Sequence, residues 1–180
     1  MILCMAIETK GGEVNKKSKI RYVNSENGLR LRTEPSIEAE ILEILPFAQN
    51  VKVLKRKCGE DESWSKVKVN GIKGYVHSDY LQKGDPFEDM EYLGDWRITA
   101  YAYTGSPCAN GSMPTEGYTV ASNSLDFGTE VYIEGIGFRT VEDRGPGWLG
   151  ETWLDLYLGN HDSCVAWGNQ YRGVWIKKEN

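Results

Sequence analysis

Histidine is nearly missing from this chain of 180 residues: two occur, His77 and His161. Neither lies in the context of a nucleophile elbow, which leaves Ser/His/Asp and Cys/His relays without support. His161 falls where the chain is expected to turn into a short helix, so it reads as a capping or surface residue. The four cysteines (Cys4, Cys58, Cys108, Cys164) show no C-x-x-C spacing, which argues against a structural zinc site. Cys108 and Cys164 share one half of the chain and would be able to pair in an oxidising compartment, but free, half-buried thiols are the reading favoured here. No metal and no cofactor is expected. Gly145, Gly147 and Gly150 precede no Lys-Ser/Thr pair, so a phosphate-cradling loop is absent. No apolar run is long enough to cross a bilayer. The opening Met1 to Ile7 is apolar but short and has no basic residue before it. A typical export signal is therefore not expected within this sequence.

Charge is present in quantity but unevenly placed. The formal net charge is −5. Residues 1–83 hold 15 Lys and Arg against 11 Asp and Glu, a balance of +4, whereas residues 84–180 hold 6 against 15, a balance of −9. Such a split predicts two modules, and the acidic half argues against a nucleic-acid partner. Residues 8–19 are polar and predict a flexible leader, giving a leader over 1–19. Short runs with period-two alternation then follow: Leu29 to Arg32, Ile41 to Leu45, Val51 to Leu54, Trp64 to Val69, and Gly74 to Val76. They predict a small barrel over 20–83.

Those residues carry a resemblance. Leu29-Arg30-Leu31-Arg32-Thr33-Glu34-Pro35-Ser36 resembles the opening of bacterial SH3 domains. Trp64 to Val69, Asn70-Gly71-Ile72-Lys73-Gly74-Tyr75-Val76 and Tyr80-Leu81 resemble that family's ending. Arg30 and Tyr75 stand where the family often has Asn and Trp. The resemblance implies tethering to peptidoglycan, with Trp64 and Tyr75 as candidates to stack on sugar or peptide. For Trp64 the alternative is a plain core residue.

An acidic segment with Gly and Pro, residues 84–91, reads as a linker. Beyond it, a second all-β module over 92–180 is expected. Its predicted strands are Trp96 to Tyr101, Tyr118 to Ala121, Thr129 to Ile133, Phe138 to Val141, and Val174 to Ile176. A helical turn or two is predicted between Asp162 and Gln170, starting near Asn160 or His161. Two acids stand out in this module. Asp143 follows a strand-like run and opens the loop Gly145-Pro146-Gly147. Asp155 sits in the apolar run Trp153-Leu154-Asp155-Leu156-Tyr157. A carboxyl among Trp, Leu and Tyr is partly desolvated, which raises its pKa, and glycosidic cleavage needs an acid of that kind. The alternative is that Asp155 bonds loop amides and holds the loop in shape.

Ile98-Thr99-Ala100-Tyr101, Gly128 to Gly135, Val141-Glu142-Asp143 and Leu154-Asp155-Leu156-Tyr157 with Asn160-His161-Asp162 resemble the 3D (three-aspartate) domain. That domain is related to membrane-bound lytic transglycosylase A. Ala109-Asn110-Gly111, Thr119 to Thr129 and Asp143-Arg144-Gly145-Pro146 also resemble rare lipoprotein A. The fold this implies is a six-stranded double-psi β-barrel with a minor helix, so the chain as a whole is expected to be mainly β. The implied reaction cuts peptidoglycan glycan strands between N-acetylmuramic acid and N-acetylglucosamine without water. On the family pattern Asp143 is the acid/base and Asp155 its supporting partner. Tyr101, Ser122, Asn123 and Arg144 are expected around the substrate. Two family features are replaced. The stretch holding the first aspartate reads Val120-Ala121-Ser122-Asn123-Ser124, and the Lys-bearing glycine loop reads Gly145-Pro146-Gly147-Trp148-Leu149-Gly150. The alternatives are a wall-binding protein without catalysis, or an accessory protein of a lysis, germination or mobile-element system. An extracellular or wall-associated location follows from each wall-directed reading. The sequence does not fix an oligomeric state.

Overall fold

A computed structural model describes residues 19–178. Cys4 and the leader expected over residues 1–19, apart from Lys19, lie outside the described residues. The described chain is mainly β, with thirteen strands and one α-helix.

Seven strands form the first sheet: β1 (Ile20–Val23), β2 (Leu29–Arg32), β3 (Ile41–Leu45), β4 (Asn50–Cys58), β5 (Trp64–Val69), β6 (Ile72–His77) and β7 (Leu81–Gln82). They run in the order β3-β2-β6-β5-β4-β1-β7. Alternation explains the folding. Leu29, Leu31, Val51, Val53, Val67, Val69 and Val76 turn inward with Val23 and Leu45, while the residues between them face outward. Two glycines are structural necessities. Asn70 and Gly71 both adopt positive φ in the two-residue turn joining β5 to β6, as such a hairpin requires. At Gly74 a Cβ would lie 2.7 Å from the Arg32 carbonyl, so β2 and β6 approach closely only because no side chain is there.

Six further strands close into a barrel: β8 (Met90–Tyr101), β9 (Thr119–Ala121), β10 (Glu130–Ile133), β11 (Gly137–Asp143), β12 (Trp153–Tyr157) and β13 (Gln170–Lys177). The order is β10-β11-β9-β12-β8-β13, with β11/β9 and β12/β8 parallel and every other pair antiparallel. Closure leaves no free edge. Ile98, Val120, Val131, Ile133, Val141, Leu154, Leu156 and Val174 fill the interior with Trp96. Helix α1 (His161–Trp167) is capped by Asn160, whose side chain accepts from the Ser163 amide at 2.8 Å. It stops at Gly168, at φ 67°, before reaching Gln170. Gln170 instead opens β13, four residues earlier than the sequence suggested.

The segment expected as a linker packs against both units through Phe87, which meets Phe47 and Trp175. β8 already begins at Met90, and Phe87 stacks on Trp175 with ring centroids 4.8 Å apart. Phe47, from the turn before β4, meets Tyr132 at 5.3 Å and Phe138 at 5.1 Å. Lys177 bridges Glu26, in the turn between β1 and β2, and Glu130 of the barrel at 3.1 and 2.7 Å. The two units are thus joined by an aromatic cluster with a charged clasp at its rim.

Candidate functional site

The barrel sets two acids on one face by register alone. Asp155 pairs with Thr99 of β8 on one side and Ala121 of β9 on the other; Ala121 in turn pairs with Asp143 of β11. Thr99, Asp155, Ala121 and Asp143 therefore form a row across four strands. The flanking Ile98, Leu154, Leu156, Val120 and Val141 point the other way, into the core. Alternation extends the same face along the strands, to Arg97 and Tyr101 on β8 and to Trp153 and Tyr157 on β12. Between Val141 and Asp143 the register against β9 shifts, a bulge that places the polar pair Glu142 and Asp143 where β11 ends. Asp143 is thus the last residue of a strand, not the opening of the loop.

Each acid has a distinct set of partners. Asp143 Oδ2 accepts from the Tyr101 hydroxyl at 3.0 Å; Oδ1 accepts from the Ala109 amide at 2.9 Å and from the Arg144 amide at 2.8 Å. Asp155 Oδ1 accepts from the Thr99 hydroxyl at 2.7 Å, and Thr99 Oγ1 accepts from Trp153 Nε1 at 2.7 Å. Burial pushes the Asp155 carboxyl above the usual carboxylate range. The Thr99 bond works against that rise, and the charge of Asp143 adds to it. Burial, then Asp143, likewise raises the Tyr101 phenol and keeps it a donor.

The other residues expected around the substrate divide into two groups. Tyr101 touches Asp143 directly and lies 5.5 Å, ring to ring, from Tyr157. The remainder hold the loops. Ser122 is fully buried, and its hydroxyl accepts from the Ser124 and Leu125 amides; the expectation that it faces substrate is corrected. Asn123 is exposed, but its side chain is spent on the Pro146 and Leu149 carbonyls and the Gly145 amide. Arg144 lies over the Phe127 ring at 3.7 Å and donates to the Ser122 carbonyl at 2.7 Å. A side chain at Gly145 would collide with Leu149, which is tucked under the same loop.

Four contributors were not picked out from the sequence. Thr99 orients Asp155. Glu142 accepts from Thr119 at 2.6 Å and Ser112 at 3.1 Å, and with Asp143 it ties the segment around residues 108–112 to β11. Trp153 carries the Arg97 guanidinium at 3.8 Å and lies 5.3 Å from Trp148, which is 71% exposed beside the acids' face. The polar-apolar alternation of Arg97-Ile98-Thr99 was a visible signal for Thr99; nothing local marked Trp148. Cys58, Cys108 and Cys164 are free thiols. Among the described residues no group of acids, histidines and cysteines is arranged to hold a metal ion.

On the first sheet a groove of about 490 Å³ is lined by Arg30, Arg32, Ile37, Ile44, Trp64, His77 and Tyr80, among others. Trp64 is 5% exposed, so it is a core residue that also forms the groove's floor, edge-on to His77 at 5.6 Å. Tyr75 shares the outward face with Lys66, whose ammonium lies 5.3 Å from its ring, but it does not line the groove. The structure therefore does not bring Trp64 and Tyr75 into one pocket.

Comparison with known proteins adds one assignment. Residues 27–82 match the family model of the bacterial SH3 domain, a stretch that spans β2 to β7 and includes Arg30, Arg32, Trp64, His77 and Tyr80 of the groove. No curated protein matches the sequence. Among solved structures, NlpC2 from Trichomonas vaginalis aligns over 88% of this chain and 72% of its own, at 14% identity and a TM-score of 0.30. No helix among the described residues is long and apolar enough to cross a membrane. The bacterial SH3 domain is thus assigned by sequence family, and the six-stranded barrel by its own geometry.

Proposed function

We propose that this protein binds peptidoglycan through its bacterial SH3 domain, residues 20–83, and cleaves the glycan strand at the barrel formed from residues 92–180. The reaction proposed is that of a lytic transglycosylase, at the bond between N-acetylmuramic acid and N-acetylglucosamine, outside the cell or at the wall. In this reading the barrel, with its two parallel strand pairs, is of the double-psi kind. The observation that carries it is the row Thr99–Asp155–Ala121–Asp143, two carboxyl groups on one face with only a methyl side chain between them in the register. Glycosidic cleavage needs a carboxyl that can donate a proton to the leaving oxygen, and the burial that raises the Asp155 carboxyl suits that task. Tyr101, Tyr157, Trp153 and Trp148 frame the pair with aromatic faces suited to sugar rings. The chain's own groups suffice for this chemistry. Neither a nucleic acid nor a cofactor enters this reading.

The test is release of soluble fragments from purified sacculi. The wild-type chain releases them, and Asp143→Asn lowers the release by about 10²-fold or more; full release by that variant overturns the role of the pair. One observation favours a second reading, a wall-binding protein without catalysis. Ser122 and Asn123, in the stretch where the three-aspartate domain has its first acid, spend their side chains on loop structure. Sedimentation with walls, unaccompanied by any soluble product, would select it.

A further inference from the structure

Beside the row of acids, the same face of the barrel carries a second row, and this one holds a cation. Arg97 on β8 pairs in register with Trp153 on β12 and with Tyr171 on β13, so an aromatic residue flanks it on each side. Arg97 lies two residues from Thr99, and Trp153 two from Asp155, which sets this row about 7 Å from Asp155 along the strands. The guanidinium lies over the Trp153 ring at 3.8 Å, and its Nε donates to Asn169 Oδ1 at 3.0 Å. Those two contacts hold the guanidinium plane, while its two terminal nitrogens take no partner among the described residues. Trp148, tilted 57° to Trp153 at 5.3 Å, closes the row with an exposed apolar wall.

Among the described residues, no carboxylate lies within ion-pair distance of Arg97. Asp95, next to it on this face of β8, is bonded to the Tyr92 hydroxyl. The other cations of the acidic half are committed elsewhere. Arg139 and Arg144 donate to backbone carbonyls, Arg172 to Gln170, Lys177 to two glutamates, and Lys178 to the Glu88 carbonyl. Arg97 is therefore a held cation with an open fork, on the face that carries the acids.

We propose that this row is a subsite for a carboxylate carried by the muramyl residue, bound by the terminal nitrogens of Arg97 with the sugar against Trp148. The inference rests on the peptidoglycan reading above and deepens it by naming what selects a muramyl sugar over an uncharged one. A planar fork with two free nitrogens matches a carboxylate in shape and charge. An uncharged amino sugar leaves that fork unpaired. Stacking on Trp153 already orders the side chain, so little rotamer freedom is lost when the anion arrives. Two groups on muramic acid qualify: its own lactyl carboxylate where the stem peptide is absent, and the peptide's carboxylates where it is present. Trp153 also links the subsite to the acids, because its Nε1 donates to Thr99 Oγ1, which in turn donates to Asp155.

The experiment follows the Trp153 indole N–H by heteronuclear NMR of the full chain, assigned with Trp153→Phe, as three soluble ligands are added in turn. The first is diacetylchitobiose, which is uncharged. The second is N-acetylglucosaminyl-N-acetylmuramic acid with a free lactyl carboxylate, and the third is the same disaccharide carrying its stem peptide. The sugars of the last two are joined by a bond that the proposed reaction leaves intact. At this signal, one acidic ligand or both bind about tenfold more tightly than diacetylchitobiose, and which of them does so identifies the source of the carboxylate. Arg97→Gln removes that preference. A Trp153 signal in the wild-type chain that responds equally to all three ligands, or to none, overturns the proposal without any variant; so does a preference that survives Arg97→Gln. The titration needs no cleavage. Sacculi left uncut by a chain that shows the preference would refute the cleavage reading and leave the subsite standing.

Discussion

The two units of this protein are built from the same material, alternating strands packed around aliphatic side chains, yet they spend their polar residues differently. In the bacterial SH3 domain the side-chain hydrogen bonds are mostly local, such as Ser25 to the Gly28 carbonyl and Arg32 to the Ala39 carbonyl. Its groove is lined by surface side chains such as Arg30 and Tyr80 over the buried Trp64. In the barrel, polar residues on the outward face bond across long stretches of sequence: Tyr101 to Asp143, Thr99 to Asp155, Trp153 to Thr99. Parallel pairing makes the difference. It brings β8 against β12 and β9 against β11 from distant parts of the chain, so one row across the sheet collects residues that no local motif holds. The first unit presents a surface for binding. The second fixes chemical groups on rigid strands, where a reaction needs them.

The contrast predicts where substitutions act. The largest effect falls on activity alone: Asp155→Asn and Asp143→Asn each lower release of soluble wall fragments by about 10²- to 10⁴-fold, with binding to sacculi unchanged in sedimentation. Next comes the join between the units. Phe47→Ala empties the centre of the aromatic cluster and costs about 3–5 kcal/mol, read as a fall in Tm by calorimetry. A smaller effect separates the groove from the rest of the SH3 face. Arg30→Ala and Tyr80→Ala weaken sedimentation with walls by about tenfold, whereas Tyr75→Ala, outside the groove, does so less. The smallest concerns the clasp. Lys177→Ala lowers stability by about 1 kcal/mol or less, a difference that shrinks at high salt because the ion pairs are exposed.

Stability against pH gives an independent handle on the acids. The Asp155 carboxyl is raised in the folded state, so the native chain binds its proton more tightly than the unfolded chain does. That contribution is complete below the unfolded value, near 3.9, and is lost as pH rises through the folded value. Asp155→Asn keeps the Thr99 bond and removes the buried charge. The variant is therefore more stable than wild type at neutral pH, and the gap closes on acidification; chemical denaturation at a series of pH values reads it directly.

The sequence made much of this fold legible, because alternation is a local signal. The strands around Leu31, Val67, Ile98 and Val131 could be read from their own residues. Others could not. β12 looked like an apolar run interrupted by an acid because both its neighbours are barrel strands, and its alternation shows only once Leu154 and Leu156 are known to face inward. β13 was seen in three of its eight residues, since Gln170 to Gly173 lack apolar alternation and are strand only through pairing with β8. The site was legible as two acids, Asp143 and Asp155. Their unlike surroundings were not, because Ala109, Thr99 and Trp153 reach them through pairings 34 to 56 residues apart. Asn123 looked available in the sequence for the same reason, since the loop it holds lies 22 to 26 residues away, whereas Ser122 is spent on its own turn, on the Ser124 and Leu125 amides.

The central claim, that the acid-bearing face of the barrel cuts glycan strands, is tested most directly by mass spectrometry of the soluble products formed from purified sacculi. The account predicts muropeptides ending in anhydromuramyl residues, released by the wild-type chain and lost in Asp155→Asn. Sacculi that bind the protein and yield no soluble fragment would contradict it, and fragments that carry only reducing ends would contradict the transglycosylase reaction.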